Sequence, residues 1–126
     1  MTTNGINGVP FHIGFEKDSI LVVELSGNVT NKTALELEAT IKDLLMRSPS
    51  VNKIVFAMEK TIYLSSRAIS LLLKYQQNTD TIYFQIPQPV KDRIPDKKVL
   101  QKFQDKEINK DTLQELIEYL KESEKE

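Results

Sequence analysis

The sequence predicts an α/β domain with a parallel or mixed sheet, and three observations support this. Short runs of strand-forming residues alternate along the chain with amphipathic helical segments, which is the pattern of strands joined by crossover helices. Two strand-like runs precede the first helix, so we expect one antiparallel pair at an edge of the sheet. The chain has 126 residues, of which 40% are hydrophobic and 28% charged, which suits a single domain with one core.

The first half of this domain is predicted to contain a hairpin, a helix and a third strand. Apolar residues alternate over residues 11–16, which is the period of a half-buried strand, and an apolar run at residues 20–25 follows a polar turn. Thr30 or Asn31 suits the N-cap of the helix that comes next. The apolar face of that helix consists of Ala34, Leu37, Ile41, Leu44 and Leu45. The continuous apolar run at residues 54–58 has the length of a buried strand.

The second half is predicted to contain another helix, a fourth strand and two further helices. Residues 67–75 are apolar on most sides, which indicates a helix buried against the sheet. Residues 81–86 are typical of a strand, and residues 99–103 indicate a short helix after an irregular segment rich in proline. The last helix is expected to begin near Asp111. We expect the domain to span residues 10–121, between a loose arm at residues 1–9 and a charged tail at residues 122–126.

The composition argues against several classes of function. The formal net charge is −1, so no overall field attracts nucleic acid or an anionic membrane. The sequence has no cysteine, which excludes disulfides and thiol chemistry and is compatible with a reducing compartment. Neither a secretory signal nor an apolar run of membrane-spanning length is visible. We therefore expect a cytoplasmic protein that does not insert into membranes and does not bind nucleic acid.

The sequence contains no recognisable catalytic or cofactor-binding set. His12 is the only histidine, which excludes a metal site built on a histidine pair. The four glycines all lie at or before Gly27, so no glycine-rich phosphate loop follows a later strand. The carboxylates fall mainly on predicted helix surfaces, where solvated charge is the ordinary explanation. We expect no enzyme activity, no metal and no cofactor.

Four segments between residues 20 and 73 carry a resemblance to a known family. Residues 22–29 (VVELSGNV) form a predicted strand that ends in a Gly–polar–aliphatic turn, and a helix with Ala34 and Leu37 near its start follows. Residues 54–58 (IVFAM) form an apolar central strand, and residues 63–72 (YLSSRAISLL) join a strand to a helix through two serines. This pattern resembles the STAS domain of sulfate transporters and bacterial anti-sigma factor antagonists. The resemblance implies a STAS-like single domain, with a mixed sheet of four to five strands and helices packed mainly on one face.

The resemblance also implies a phosphorylation site. The STAS strand-to-helix motif is usually an aliphatic residue, Asp, Ser, then Ser, Thr or Ala, then Gly and Leu. In regulatory members, an anti-sigma factor that is also a kinase phosphorylates the serine after the aspartate. Aligning Ala68 with the glycine and Ile69 with the leucine places Ser66 on that serine. A phosphate there would add about −1.5 to −2 charges, at a helix end whose free N–H groups tolerate an anion.

Several positions depart from this motif. Ser65 replaces the aspartate, Ala68 replaces the glycine, and Ala57 replaces an aspartate common in the central strand. Arg67 occupies a position that is usually small. The change at Ser65 removes an acidic group beside the expected acceptor. The alternative that this protein binds partners without being phosphorylated therefore stays open.

The predicted function is signal transduction by protein–protein interaction. The resemblance implies a phosphoprotein that regulates transcription by binding an anti-sigma factor, or a related serine kinase or phosphatase. The expected partner surface combines the loop at residues 27–31 with the start of the second helix. Its residues are Asn28, Thr30, Asn31, Ser65, Ser66, Arg67 and Ile69.

Other interpretations stay open at this point. Turns and helix caps explain the serines, threonine and asparagines of the same surface equally well. A phosphorylation-independent scaffold or subunit of a signalling assembly is one alternative, and a small-ligand-binding STAS module is another. The oligomeric state and the identity of the partner also stay open.

Overall fold

The computed structural model describes residues 11–16 and 19–124. The elements, in chain order, are β1 (Phe11–Glu16), β2 (Ile20–Val29), α1 (Asn31–Arg47), β3 (Lys53–Leu64), α2 (Ser66–Asn78), β4 (Asp80–Phe84), α3 (Gln88–Asp92), α4 (Lys97–Asp105) and α5 (Leu113–Glu124). The expected arm at residues 1–9 and the polar turn at residues 17–18 lie outside the described residues. Helix α5 includes residues 122–124 of the expected tail, and residues 125–126 lie outside the described part.

The strands form one sheet in the order β1-β2-β3-β4. β1 is antiparallel to β2, with Phe11 opposite Leu25, whereas β2, β3 and β4 are parallel neighbours. Helices α1 and α2 each return the chain to the starting edge of the sheet, so they are crossover connections. The mixed sheet with one antiparallel edge pair is confirmed.

Strand β3 is longer than the sequence predicts. It continues through the polar residues Glu59 and Lys60, beyond the apolar run at residues 54–58, and reaches Leu64. β4 pairs with β3 only as far as Ala57, so Glu59 and Lys60 lie where β3 extends past the end of β4. Both of these side chains are exposed. Beyond that point β3 keeps its pairing with β2 through register shifts, one of them beside Gly27, whose φ of 66° suits glycine.

One face of the sheet is covered by α1, α2, α3 and α4. Phe56 lies near the centre of this core, with ring centroids 6.5 Å from Tyr75 and 6.0 Å from Tyr83. The Tyr83 hydroxyl donates to the side-chain oxygen of Gln76 at 2.9 Å, so its polar end is satisfied inside the core. The first core contains the buried stripe of α1 that the sequence predicts, Ala34, Leu37 and Ile41.

The opposite face of the sheet is covered by α5. Its side chains Leu116, Ile117 and Leu120 form a second buried cluster with the alternate residues of the strands. Those strand residues are Ile20, Val22, Val55, Ala57, Ile82 and Phe84. Within residues 11–16 and 19–124, four helices therefore lie on one face and one on the other, as the STAS resemblance implies. The last helix begins at Leu113 rather than near Asp111, because the Thr112 hydroxyl accepts from the N–H of Glu115 at 3.1 Å and caps it.

The segment after β4 is ordered by one buried carboxylate. The Glu107 side chain is 8% exposed, forms an ion pair with Lys91 at 3.1 Å and accepts from the backbone N–H of Ile86 at 2.9 Å. This anchors the proline-rich stretch, which contains the short helix α3 that the sequence analysis did not predict. Gln85, which precedes Ile86, has a φ of 50°, and its backbone N–H donates to the side-chain oxygen of Asn109.

Candidate functional site

The loop and the helix start that were predicted to form the partner surface lie side by side. The backbone N–H of Ser65 donates to the carbonyl of Val29 at 2.9 Å, which joins the ends of β2 and β3. Because these strands are parallel neighbours, both chains leave the sheet at the same edge and turn directly into α1 and α2. Thr30 caps α1, its hydroxyl accepting from the N–H of Thr33 at 3.2 Å. The structure thus brings the loop at residues 27–31 next to the start of α2.

Ser65 is the N-cap of α2. Its hydroxyl oxygen accepts from the backbone N–H of Ala68 at 3.1 Å, and the residue is only 5% exposed. Aspartate and serine are about equally good N-caps, so a serine at the motif aspartate position keeps the capping role but removes the negative charge. Ala68 is itself buried in the first core.

Ser66 is the first residue of α2 and, unlike Ser65, is exposed. It lines an open cleft of about 430 Å³ between α1 and α2. The other residues of this Ser66 cleft are Asn31, Glu38, Arg67, Ser70, Leu71 and Lys74. A group attached to the Ser66 hydroxyl would therefore stand at the positive ends of two helices.

The charges in the Ser66 cleft favour an anion. Glu38 and Lys74 form an ion pair at 2.8 Å, and Arg67 is exposed beside them. The hydrogen bond from Lys74 is the main cause that holds the pKa of the Glu38 carboxyl below its ordinary value, with the charges of Lys74, Arg67 and Lys42 adding to it and desolvation acting against it. Neither α1 nor α2 has an acidic residue in its first turn, so no side chain there offsets the positive helix ends.

The remaining predicted residues lie at the edges of this surface. Asn28 is exposed near the end of β2, where it is paired in register with Tyr63 of β3. Tyr63 is itself partly exposed, and the guanidinium carbon of Arg93 lies 5.9 Å from the centre of its ring. Ile69 is partly buried against the first core, so only part of its side chain faces solvent. Asn31 is exposed and lines the Ser66 cleft.

The sequence analysis did not identify three polar residues of the cleft as site residues. Ser70 and Lys74 follow Ser66 at successive intervals of four residues, so helical spacing was a usable signal for both. Glu38 comes from α1, and its meeting with Lys74 depends on how the two helices pack.

Other kinds of site are not found in the described part of the chain. Within residues 11–16 and 19–124, no three histidine, aspartate or glutamate side chains are grouped so that they could hold a metal ion. None of the helices there is both long and apolar enough to cross a membrane.

Comparison with known proteins gives matches in structure only. No protein-family model matches the sequence, and no curated protein matches it significantly. The anti-sigma factor antagonist SpoIIAA in its unphosphorylated form superposes with a TM-score of 0.74 at 18% identity, over 88% of this chain and 96% of that one. The Bacillus cell fate determinant SpoIIAA in its phosphorylated form gives 0.70 at 17% identity, over 87% and 98%. This chain therefore has the fold of SpoIIAA, the STAS fold that its sequence motifs predicted.

Proposed function

We propose that this protein is an anti-sigma factor antagonist-like regulator, which binds a protein partner at the paired starts of α1 and α2. The expected partner is an anti-sigma factor or a related serine kinase or phosphatase. One observation carries the proposal: Ser66 is exposed in the first turn of α2, beside the start of α1, while the adjacent Ser65 is buried as the cap. The structural neighbour SpoIIAA, an anti-sigma factor antagonist, has both an unphosphorylated and a phosphorylated form.

Phosphorylation of Ser66 is the proposed switch. The phosphate would add about −1.5 to −2 charges at the mouth of the cleft, where Arg67 and two helix ends stabilise an anion in solvent. A partner that covers this surface would have to desolvate the new charge and place its own groups against it. The unmodified form therefore binds and the modified form is released.

A phosphorylation-independent scaffold is the second candidate, and one observation favours it. Ser65 supplies the helix cap without the carboxylate of the motif, so α2 begins correctly while the acidic neighbour of the acceptor is missing. In this case the same surface binds its partner, and the state of Ser66 has no effect.

Matched variants on α2 test the switch. We would immobilise the wild-type protein, Ser66→Ala, Ser66→Asp and the control Gln77→Glu, which adds the same charge at an exposed position at the other end of α2. Proteins retained from a lysate of the native host are then quantified by mass spectrometry. We expect one partner to be retained by all variants except Ser66→Asp.

Two other results would change the assignment. Retention of that partner at the wild-type level, both by Ser66→Asp and by protein phosphorylated at Ser66, contradicts the switch and supports the scaffold. The phosphorylated protein is needed because aspartate carries less charge than phosphoserine. Failure of every variant to retain a partner contradicts the protein-binding proposal itself.

A further inference from the structure

Helix α1 carries a second stripe of mostly apolar side chains, separate from the face it buries. Leu35, Ala39, Lys42 and Met46 recur at intervals of four, three and four residues, and all of them are exposed. Leu35 is 50% exposed and Met46 is 75% exposed, although both are large apolar side chains. Such spacing presents one continuous line of side chains along a helix, over about 17 Å.

This stripe borders a groove between α1 and α2. The groove has a volume of about 700 Å³, and its apolar lining includes Leu45 and the buried Tyr75. Glu38 and Lys74 line both this groove and the Ser66 cleft, so the two are continuous. We call the whole feature the α1–α2 seam.

The seam carries more positive than negative charges, although the chain as a whole does not. Its charged lining consists of three cations, Arg67, Lys74 and Lys42, and one anion, Glu38. The whole chain has a formal net charge of −1, so the excess of cations is a local property. The seam therefore complements a surface that is apolar and acidic together.

We propose that an acidic amphipathic helix of the protein partner docks along the α1–α2 seam. Its apolar side chains would pack on Leu35 and Met46, and its carboxylates would face Lys42, Lys74 and Arg67, in the manner of a helix bound in a groove. The inference rests on the proposed function in one respect, because the same partner would cover the Ser66 cleft at the end of the seam. A second copy of this chain fits poorly, since a two-fold contact would bring two positive seams together.

The test uses the full chain and three synthetic helical peptides of equal length. All three have leucine at heptad positions, and their remaining positions are mainly glutamate, glutamine or lysine. Binding is followed by NMR of the isotope-labelled protein. We expect the glutamate peptide to bind about tenfold more tightly than the glutamine peptide, with shifts along α1 and at the Met46 methyl group, and the lysine peptide not to bind.

Variants then locate the binding. Met46→Ser should weaken binding of the glutamate peptide about tenfold, while Tyr119→Ser, which removes a partly exposed side chain from α5 on the other face, should not. Equal binding of the glutamate and glutamine peptides, or an unchanged affinity of Met46→Ser, would overturn the proposal. So would a dimer in analytical ultracentrifugation that Met46→Ser dissociates, because a second copy would then cover the seam.

The two proposals can fail separately. If the glutamate peptide binds but the Ser66 variants retain the same partners, the docking seam stands and the phosphorylation switch is wrong. If the Ser66 variants differ in retention while the glutamate peptide does not bind, the switch stands and the docking seam is wrong.

Discussion

The backbone N–H of Ser65 donates a 2.9 Å hydrogen bond to the carbonyl oxygen of Val29. This bond extends the pairing of β2 and β3 to the point where both chains become helices. The start of α2 at Ser66 is therefore placed by the sheet, without an intervening loop. Substitutions of exposed side chains at this edge should change recognition while leaving the fold intact.

Adjacent serines are expected to differ in their effect on stability. Ser65→Ala removes the cap of α2 and should lower the free energy of unfolding by about 1 kcal/mol, within the usual range of about 0.5–2 kcal/mol. Ser66→Ala removes an exposed hydroxyl and should change it by less than about 0.5 kcal/mol. Urea denaturation of both variants measures the difference, and equal losses would contradict the capping role of Ser65.

Phosphorylation, if it occurs, should be confined to one of these serines. Ser66 is exposed, whereas the Ser65 hydroxyl is buried and accepts a hydrogen bond from the N–H of Ala68. Phosphopeptide mapping of protein isolated from its host should therefore place phosphate on Ser66. Ser66→Ala is the control and should remove the modification rather than move it to Ser65. Phosphate found on Ser65 would contradict this prediction.

Introducing an aspartate at Ala57, where the STAS pattern commonly has one, should destabilise the protein. Ala57 is 3% exposed and packs in the apolar cluster beneath α5. Ala57→Asp would bury a carboxylate without a partner there, at a cost of several kcal/mol unless it takes up a proton. Thermal unfolding checks this, with Ala57→Ser as the smaller polar control. A melting temperature for Ala57→Asp equal to that of wild type would show that α5 does not seal this face.

The ion pair between Lys91 and Glu107 is expected to matter more than those on the surface. Lys91→Met leaves the 8% exposed Glu107 carboxylate with neutral donors only, and should lower the free energy of unfolding by about 2–4 kcal/mol. Arg47→Met breaks the exposed pair with Asp43 and should have an effect below about 1 kcal/mol. Chemical denaturation of both variants compares them, and similar losses would refute the anchoring role of Glu107.

The Glu38 carboxyl should titrate in a way that depends on Lys74. Its pKa is lowered mainly by the hydrogen bond from Lys74, so the pair contributes stability above the unfolded-state pKa and loses it as pH falls through the lower folded-state pKa. Lys74→Met should raise the pKa of Glu38 toward its ordinary value in an NMR titration. Arg47→Met, which removes a cation that does not act on Glu38, should leave that titration unchanged. The same Glu38 curve in Lys74→Met and wild type would contradict the assignment.

The part of the fold that follows from local pattern was predictable. Alternating strand and helix signals predict the parallel order of β2, β3 and β4, because crossover connections leave few other arrangements. The full length of β3 was not predictable in this way. Glu59 and Lys60 look like a break in the strand, and only the end of β4 opposite Ala57 explains why polar residues are tolerated there. Helix α3 is one short turn held by Glu107, a contact distant in sequence.

The candidate site, like the fold, was predictable only where local sequence pattern determines the structure. Thr30 and Ser65 could be placed together from sequence, because both follow parallel strands and both have residue types that cap helices. The resemblance assigns Ser66 as the acceptor, but the two residue types alone do not tell which serine caps the helix and which is exposed, because that depends on the cap hydrogen bond and on burial. The sequence analysis did not identify Glu38 and Met46 for another reason. The apolar pattern of each helix alone does not determine which side of α1 lies against α2, because that depends on how the two helices pack.

The helix that covers the second face of the sheet has a consequence for the newly made chain. By Phe84 the strands β1 to β4 and the first-face helices α1 and α2 have been synthesised, and α3 and α4 of the same face follow next. Within the described residues, the face that carries Val22, Val55 and Phe84 is covered by α5, which begins at Leu113 and is translated last. A chain whose translation stops before α5 exposes this apolar face of the sheet, which favours aggregation. Synthesis of the last helix therefore decides when the apolar face is protected from aggregation.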